Sequence, residues 1–196
     1  MWDSLLEKLP PAGTRENSRP LATPMTDSSA QRPVTASADT AERLRIAAAF
    51  LEHSKRNSRF DECVLRDLRE PSFEAGRVTC VVPVTERLEN RYGTIHGGCI
   101  ATLVDIVSTA ALITLSDSSG VTLDLNVTYM TAAKHGDSVV VDATVLKLGK
   151  STAALEVELR SVATGSLVAK GRHTKFLLGM GGGSVTAFLD KQRAKL

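Results

Sequence analysis

Apolar residues occur on every side of the stretch Gly97–Leu115 when it is wound as a helix, with no narrow stripe. A helix of that kind is buried on most of its surface. Before it, Leu44, Ala47, Ala48 and Leu51 repeat at helical spacing, and Asp39 or Thr40 can cap a helix running to about Lys55. Arg56–Arg59 ends that helix. Strand-like runs follow at about Cys63–Leu68 and Arg77–Val84, with Glu70–Gly76 read as the turn between them. After the long helix, Val121–Tyr129 alternates, with Val, Leu, Leu, Val and Tyr on one face and Thr122, Asp124, Asn126 and Thr128 on the other. Ser138–Leu148, Thr152–Ser161 and Leu167–Leu177 complete the strands. His135–Asp137, Gly149–Ser151 and Ala163–Gly165 are short turns of hairpin type. One long helix against an antiparallel sheet is an α+β layout.

The flanks read differently. Residues 1–38 are rich in Pro, Ser, Thr and Ala and are expected to be a disordered N-terminal segment, with Trp2–Leu9 able to form a short amphipathic turn. Residues 39–178 form the folded domain. Residues 179–196 open on a glycine run and end basic, which predicts a flexible C-terminal tail with room for a short helix.

Composition narrows the partners. A net charge of +2 and 4% aromatic residues argue against nucleic acid, which needs basic surface or stacking platforms. Cys63, Cys80 and Cys99 are an odd count with no C-x-x-C pair, which reads as free thiols in a reducing compartment and no metal site. Cys99, near a helix start, is either an activated thiolate or a small packing residue. The helix at 97–115 is long enough to suggest a membrane span, but Asp105 at its centre and its Ser and Thr residues argue against one. No secretory signal is visible. Asp3, Glu7, Glu16 and Asp27 weaken a mitochondrial presequence, so a cytoplasmic or mitochondrial location is expected.

The candidate chemistry lies on the long helix. Asp105 is its one charged residue, and Gly98, Thr102, Ser108 and Thr109 share its face. A carboxylate in that setting is costly unless it is paired or used. It either bonds a buried hydroxyl or backbone group, or it does chemistry. At the helix entrance, His96-Gly97-Gly98 offers unpaired N–H groups at the positive end of the dipole, suited to a polarised carbonyl. The plainer reading is a tight turn. Gly97 and Asp105 are eight residues apart, which is roughly 12 Å along a helix. One reacting group cannot touch both. Cooperation therefore requires a second, antiparallel copy of the helix, as a two-fold dimer supplies.

Asn90…Gly93-Thr-Ile-His-Gly-Gly98…Asp105, then Gly120–Met130, then Gly171-Arg-His-Thr-Lys175 together resemble the hotdog-fold acyl-CoA thioesterases, in the phenylacetate-pathway-like branch, over about residues 40–178. The resemblance implies a hotdog fold, with a curved antiparallel sheet wrapped on one long central helix. It implies hydrolysis of acyl-CoA to free acid and coenzyme A, with no metal and no cofactor, in a homodimer or a dimer of dimers. By resemblance, the Gly97 N–H polarises the thioester oxygen and Asn90 helps hold the carbonyl or the water. Asp105 of the other subunit acts as base or nucleophile. Thr122, where relatives carry Ser, orients the water or Asp105, and His96 steadies the loop or the sulfur.

Coenzyme A carries phosphates, and the turn Lys147, Gly149, Lys150, Ser151 and Thr152 offers cations, N–H groups and hydroxyls. An ordinary hairpin with solvated lysines is the competing reading. It is not a nucleotide P-loop, because Thr144 stands where the first glycine belongs and a strand follows. Tyr129, Arg172, Lys175 and Phe176 are further coenzyme A candidates. His53, His135 and His173 read as surface or strand residues. Two alternatives remain open at this level: a dehydratase acting on acyl thioesters through a His and an acid, and a non-catalytic acyl-CoA binding protein.

Overall fold

A computed structural model of the chain describes residues 38–56, 59–177 and 184–193. The segment up to residue 37, including Trp2–Leu9, and the whole glycine run lie outside the described residues. Helix α1 spans Ala38–Arg56, with Asp39 in its first turn and Lys55 and Arg56 in its last, each sign matched to the helix dipole. It buries Ile46, Ala47 and Leu51.

The next two segments correct the reading above. Residues Phe60–Leu65 are a short helix, α2, where a strand over Cys63–Leu68 was expected. Val64 and Leu65 both enter the core, which adjacent residues of a strand cannot do. Strand β1 is Arg69–Glu74, inside the stretch read as a turn. It sits at the sheet edge, where Pro71 costs no ladder bond on its open side. Its pairing is irregular between Arg69 and Ser72, where Glu70 takes a left-handed φ of 51°.

From there the strands follow the expected order. Strand β2 is Arg77–Pro83, β3 is Val121–Tyr129, β4 is Ser138–Leu148, β5 is Thr152–Ser161 and β6 is Leu167–Phe176. They form one six-stranded sheet, β1-β2-β4-β5-β6-β3, with every pair antiparallel. Helix α3, Gly97–Ile113, lies on its inner face. Leu103, Val104, Val107, Ala110 and Ala111 are sealed from solvent against Val78, Val82, Val141, Val157 and Leu159. Each Val or Leu among them contributes about 1.5–3 kcal/mol by leaving water. The closest approach is at Gly171 of β6, where a Cβ would stand 2.6 Å from Val104 Cγ1. Only the missing side chain lets the helix settle there.

The C-terminal stretch docks. Val185–Arg193 forms helix α4, whose Val185 and Leu189 pack on Ile46, Ala47 and Ile113. Asp117, in the loop after α3, fastens it. Its carboxylate accepts from Ser184 Oγ at 2.7 Å, from Thr186 N at 3.1 Å and from Thr186 Oγ1 at 2.7 Å, and it pairs with Arg43 of α1 at 3.4 Å. Burial opposes ionisation of Asp117, but these hydrogen bonds together outweigh it and hold its pKa below the usual carboxylate value. Among the described residues, no helix is long and apolar enough to cross a membrane.

Candidate active site

The sheet brings polar side chains under α3 through β6. On that strand Gly171, His173 and Lys175 point inward, while Arg172 and Phe176 point outward. His173 is 1% exposed and Lys175 is 4% exposed. Both lie beside Asp105 of α3, with His173 Nε2 at 3.6 Å and Lys175 Nζ at 3.7 Å from Asp105 Oδ1. The Asp105 side chain keeps 37% of its surface open. It is therefore neither isolated nor fully buried: its inner oxygen meets two nitrogens and its outer edge meets solvent.

Strand β3 adds Thr122, by an irregularity. Pairing with β6 runs Thr122 to Lys175, then Asp124 to Thr174, so Leu123 is an extra residue in a bulge. Plain alternation would set Thr122 on the face of Asp124 and Asn126. The bulge turns it to the inner face with Leu125 and Val127, and its Oγ1 lies 3.0 Å from His173 Nε2.

The proton positions in this cluster follow from counting donors. Ser108 Oγ is 2.6 Å from the Val104 carbonyl, so its single hydrogen is given there. His173 Nδ1, 2.7 Å from Ser108 Oγ, must then donate to it. Burial, and next the Lys175 charge, push the His173 pKa down to about 4 against the pull of Asp105 and Asp124. The ring is neutral at pH 7, its Nε2 is bare, and Thr122 donates to it. The lone pairs of Thr122 are left to accept from something else.

The other half of the chemistry lies at the entrance of α3. His96 is the N-cap, and its Nδ1 accepts from Gly98 N at 2.9 Å. A Cβ on Gly98 would stand 3.0 Å from that nitrogen, a tight contact that would push on the capping ring. Among the described residues no acceptor is placed on the Gly97 N–H. Its carbonyl accepts from Tyr129 OH at 3.1 Å. Asn90 ties its loop, with Oδ1 accepting from Tyr92 N at 2.9 Å and Nδ2 donating to Thr94 Oγ1 at 2.9 Å. A cleft of about 320 Å³ opens here, lined by Asn90, Gly97, Ile100, Tyr129, Met130 and Val168.

The coenzyme A candidates do not form one patch. Lys147, Gly149, Lys150, Ser151 and Thr152 are exposed in the β4–β5 turn, and Phe176 is paired with Thr152. Gly149 and Lys150 line a cleft of about 420 Å³ with Arg43, Ser116, Ser118 and Leu177. Arg172 is exposed on the outer sheet face, 4.0 Å from Glu156. Tyr129 belongs to the helix entrance, at the other end of β3. Lys175 does not reach the surface, which corrects its reading as a phosphate contact. His173, read as a surface or strand residue, is in a strand but turned inward into the constellation. Alternation could not reveal either, because the second half of β6, Lys170–Lys175, reads Lys-Gly-Arg-His-Thr-Lys with no large apolar residue to mark its inner face. Burial raises the pKa of the Cys99 thiol against the opposing Arg87 charge, which fits a packing role rather than an activated thiolate.

The profile of the thioesterase superfamily matches residues 92–168. Acyl-coenzyme A thioesterase 13 of Homo sapiens is 48% identical over 117 residues, 59% of this chain and 84% of that protein. The crystal structure of zebrafish thioesterase superfamily member 2 superposes with a TM-score of 0.64 at 41% identity, covering 69% of this chain and 98% of that one. A hypothetical thioesterase protein of Streptococcus pneumoniae, solved with coenzyme A, gives a TM-score of 0.55 at 29% identity over 58% of this chain and 88% of its own. With a helix wrapped by a curved antiparallel sheet and these relatives, the chain belongs to the thioesterase superfamily and is a hotdog-fold thioester hydrolase.

Proposed function

We propose that the chain hydrolyses acyl-CoA to the free acid and coenzyme A at sites shared between two subunits. The observation that carries this is the separation of two half-sites. Asp105 with Thr122 forms one, the Gly97 N–H with Asn90 the other, roughly 12 Å apart along one helix. An antiparallel second helix brings each Asp105 to the partner's Gly97. The edge strand β3 supports such an assembly, since it leaves Val121 and Leu123 exposed at 46% and 59%.

In this reading the thioester oxygen accepts from the Gly97 N–H at the positive end of α3, and Asn90 supports it. Water donates one hydrogen to Asp105 and the other to Thr122, which presents only lone pairs. Its own lone pair is thereby turned toward the carbonyl carbon. Asp105 takes the proton as the C–O bond forms. The tetrahedral intermediate then collapses, the C–S bond breaks, and that proton leaves with the sulfur as free coenzyme A. The exposed turn from Lys147 to Thr152 is the proposed contact for the coenzyme A phosphates. The nearby histidines support hydrolysis over dehydration: both ring nitrogens of buried His173 are engaged by hydroxyls, and His96 spends Nδ1 on its cap.

The test is complementation. Asp105→Ala and Asn90→Ala should each abolish thiol release from acyl-CoA, and mixed subunits should recover up to a quarter to a half of the activity through one intact site per hybrid. Verified subunit exchange with no recovery would sink the shared site. An Asp105→Asn protein that turns over normally would remove the base. An acyl-CoA panel read by free thiol identifies the acyl group.

A further inference from the structure

We infer that Lys175 is a positioning residue for the hydrolysis: a buried cation that faces Asp105 and holds its inner oxygen, leaving the outer one for water. This rests on the reading of Asp105 as the base. The geometry of the ammonium is over-determined. Thr109 Oγ1 gives its one hydrogen to the Asp105 main-chain carbonyl at 2.7 Å, so toward Lys175 it can only accept, and it does so at 2.8 Å. That bond fixes Nζ, and Asp105 Oδ1 lies 3.7 Å away on the same nitrogen. Lys175 sits in register opposite Thr122, so one rung of the β3–β6 ladder carries both the cation beside Asp105 and the hydroxyl that meets His173.

The charges around Asp105 make the cation necessary. From β6 come His173 and Lys175, from α2 comes Asp61, and from β3 comes Asp124, which acts on His173. Burial raises the Asp61 pKa, and Asp105 raises it further, so the two carboxylates repel. His173 is neutral at pH 7 and offers no countercharge. Lys175 is the cation that offsets the second carboxylate. Burial lowers the pKa of its own ammonium, and Asp105 opposes that loss. Stability alone does not explain the pair, since apolar residues of similar volume in place of both partners of a buried ion pair are often as stable or more so.

The experiment is the pH profile of kcat/KM for Lys175→Met and Lys175→Gln with one acyl-CoA. The acid limb should move up by about one pH unit or more, as expected when a neighbouring cation is removed from a carboxylate. KM should change little. An acid limb that stays in place, with a lower melting temperature only, would reduce Lys175 to packing. A raised KM with a flattened salt dependence would make it a phosphate contact after all. Should either variant fold poorly, melting of Asp105→Asn against Asp105→Asn/Lys175→Met decides. The double variant should melt higher, because the single one strands a buried ammonium, and an equal or lower melting temperature overturns the pairing. Turnover surviving in Asp105→Asn would sink the base itself, whereas an inactive Asp105→Asn with an unmoved limb in Lys175→Met sinks this inference alone.

Discussion

Thr122 Oγ1 donates to His173 Nε2 across 3.0 Å, and the two meet because strand β3 bulges at Leu123. A hydroxyl committed as a donor can only accept from water. Thr122→Val should therefore lower kcat by about tenfold or more, the value of one well-placed hydrogen bond in the transition state. Thr122→Ser keeps the donor and should stay within about threefold of the parent. Steady-state kinetics with one acyl-CoA reads both.

The neutral state of His173 makes stability depend on pH. Unfolded, the imidazole titrates near 6.5, and folded it titrates at about 4. Between these values the unfolded chain binds the extra proton. The contribution is complete above about pH 6.5 and is lost as pH falls toward 4. His173→Gln has nothing to titrate, so the difference in melting temperature between pH 7 and pH 5 should shrink by several degrees relative to the parent. An unchanged difference would place the acid sensitivity elsewhere.

Gly171→Ala should cost about 1–3 kcal/mol, the usual range for overpacking, because its new methyl meets Val104. Val104 precedes Asp105, so the carboxylate should be displaced with it. Activity is expected to fall further than the loss of folded protein explains, and restoring space with Val104→Ala should return part of both. Denaturant titration and kcat on the same samples separate the two effects.

In the β4–β5 turn, Lys147→Ala with Lys150→Ala should raise KM for acyl-CoA by about 3- to 10-fold and leave kcat near its starting value, as loss of uniform binding does. The salt dependence of KM should flatten as well. An unchanged KM would make the turn an ordinary hairpin.

The outline of the fold was legible wherever one face is apolar. The helix at 97 and the strands at 77, 138 and 152 carry their pattern in Val, Leu, Ile and Ala. The pattern misled at Phe60–Glu74, where a six-residue helix buries two adjacent residues and an edge strand is built from Glu, Pro and Ser. The half-sites on the helix were legible because Asp105 and the glycine pair are out of place in an apolar run. The support beneath them was not. His173 and Lys175 lie in the polar half of β6, where no large apolar residue marks the inner face, and the bulge that turns Thr122 inward leaves no mark in the alternation of β3.

Asp117 reaches Arg43 of the first helix and Ser184 and Thr186 of the last with one carboxylate. Sequence-distant ends of the domain are thus held side by side, on the opposite side of the fold from the exposed turn at Ala163–Gly165 that joins β5 to β6. The order in which the chain visits its elements is then separable from the structure itself. A circular permutant that opens at that turn and runs from α4 into α1 through a short linker should fold to the same sheet, with Asp117 closing the joint.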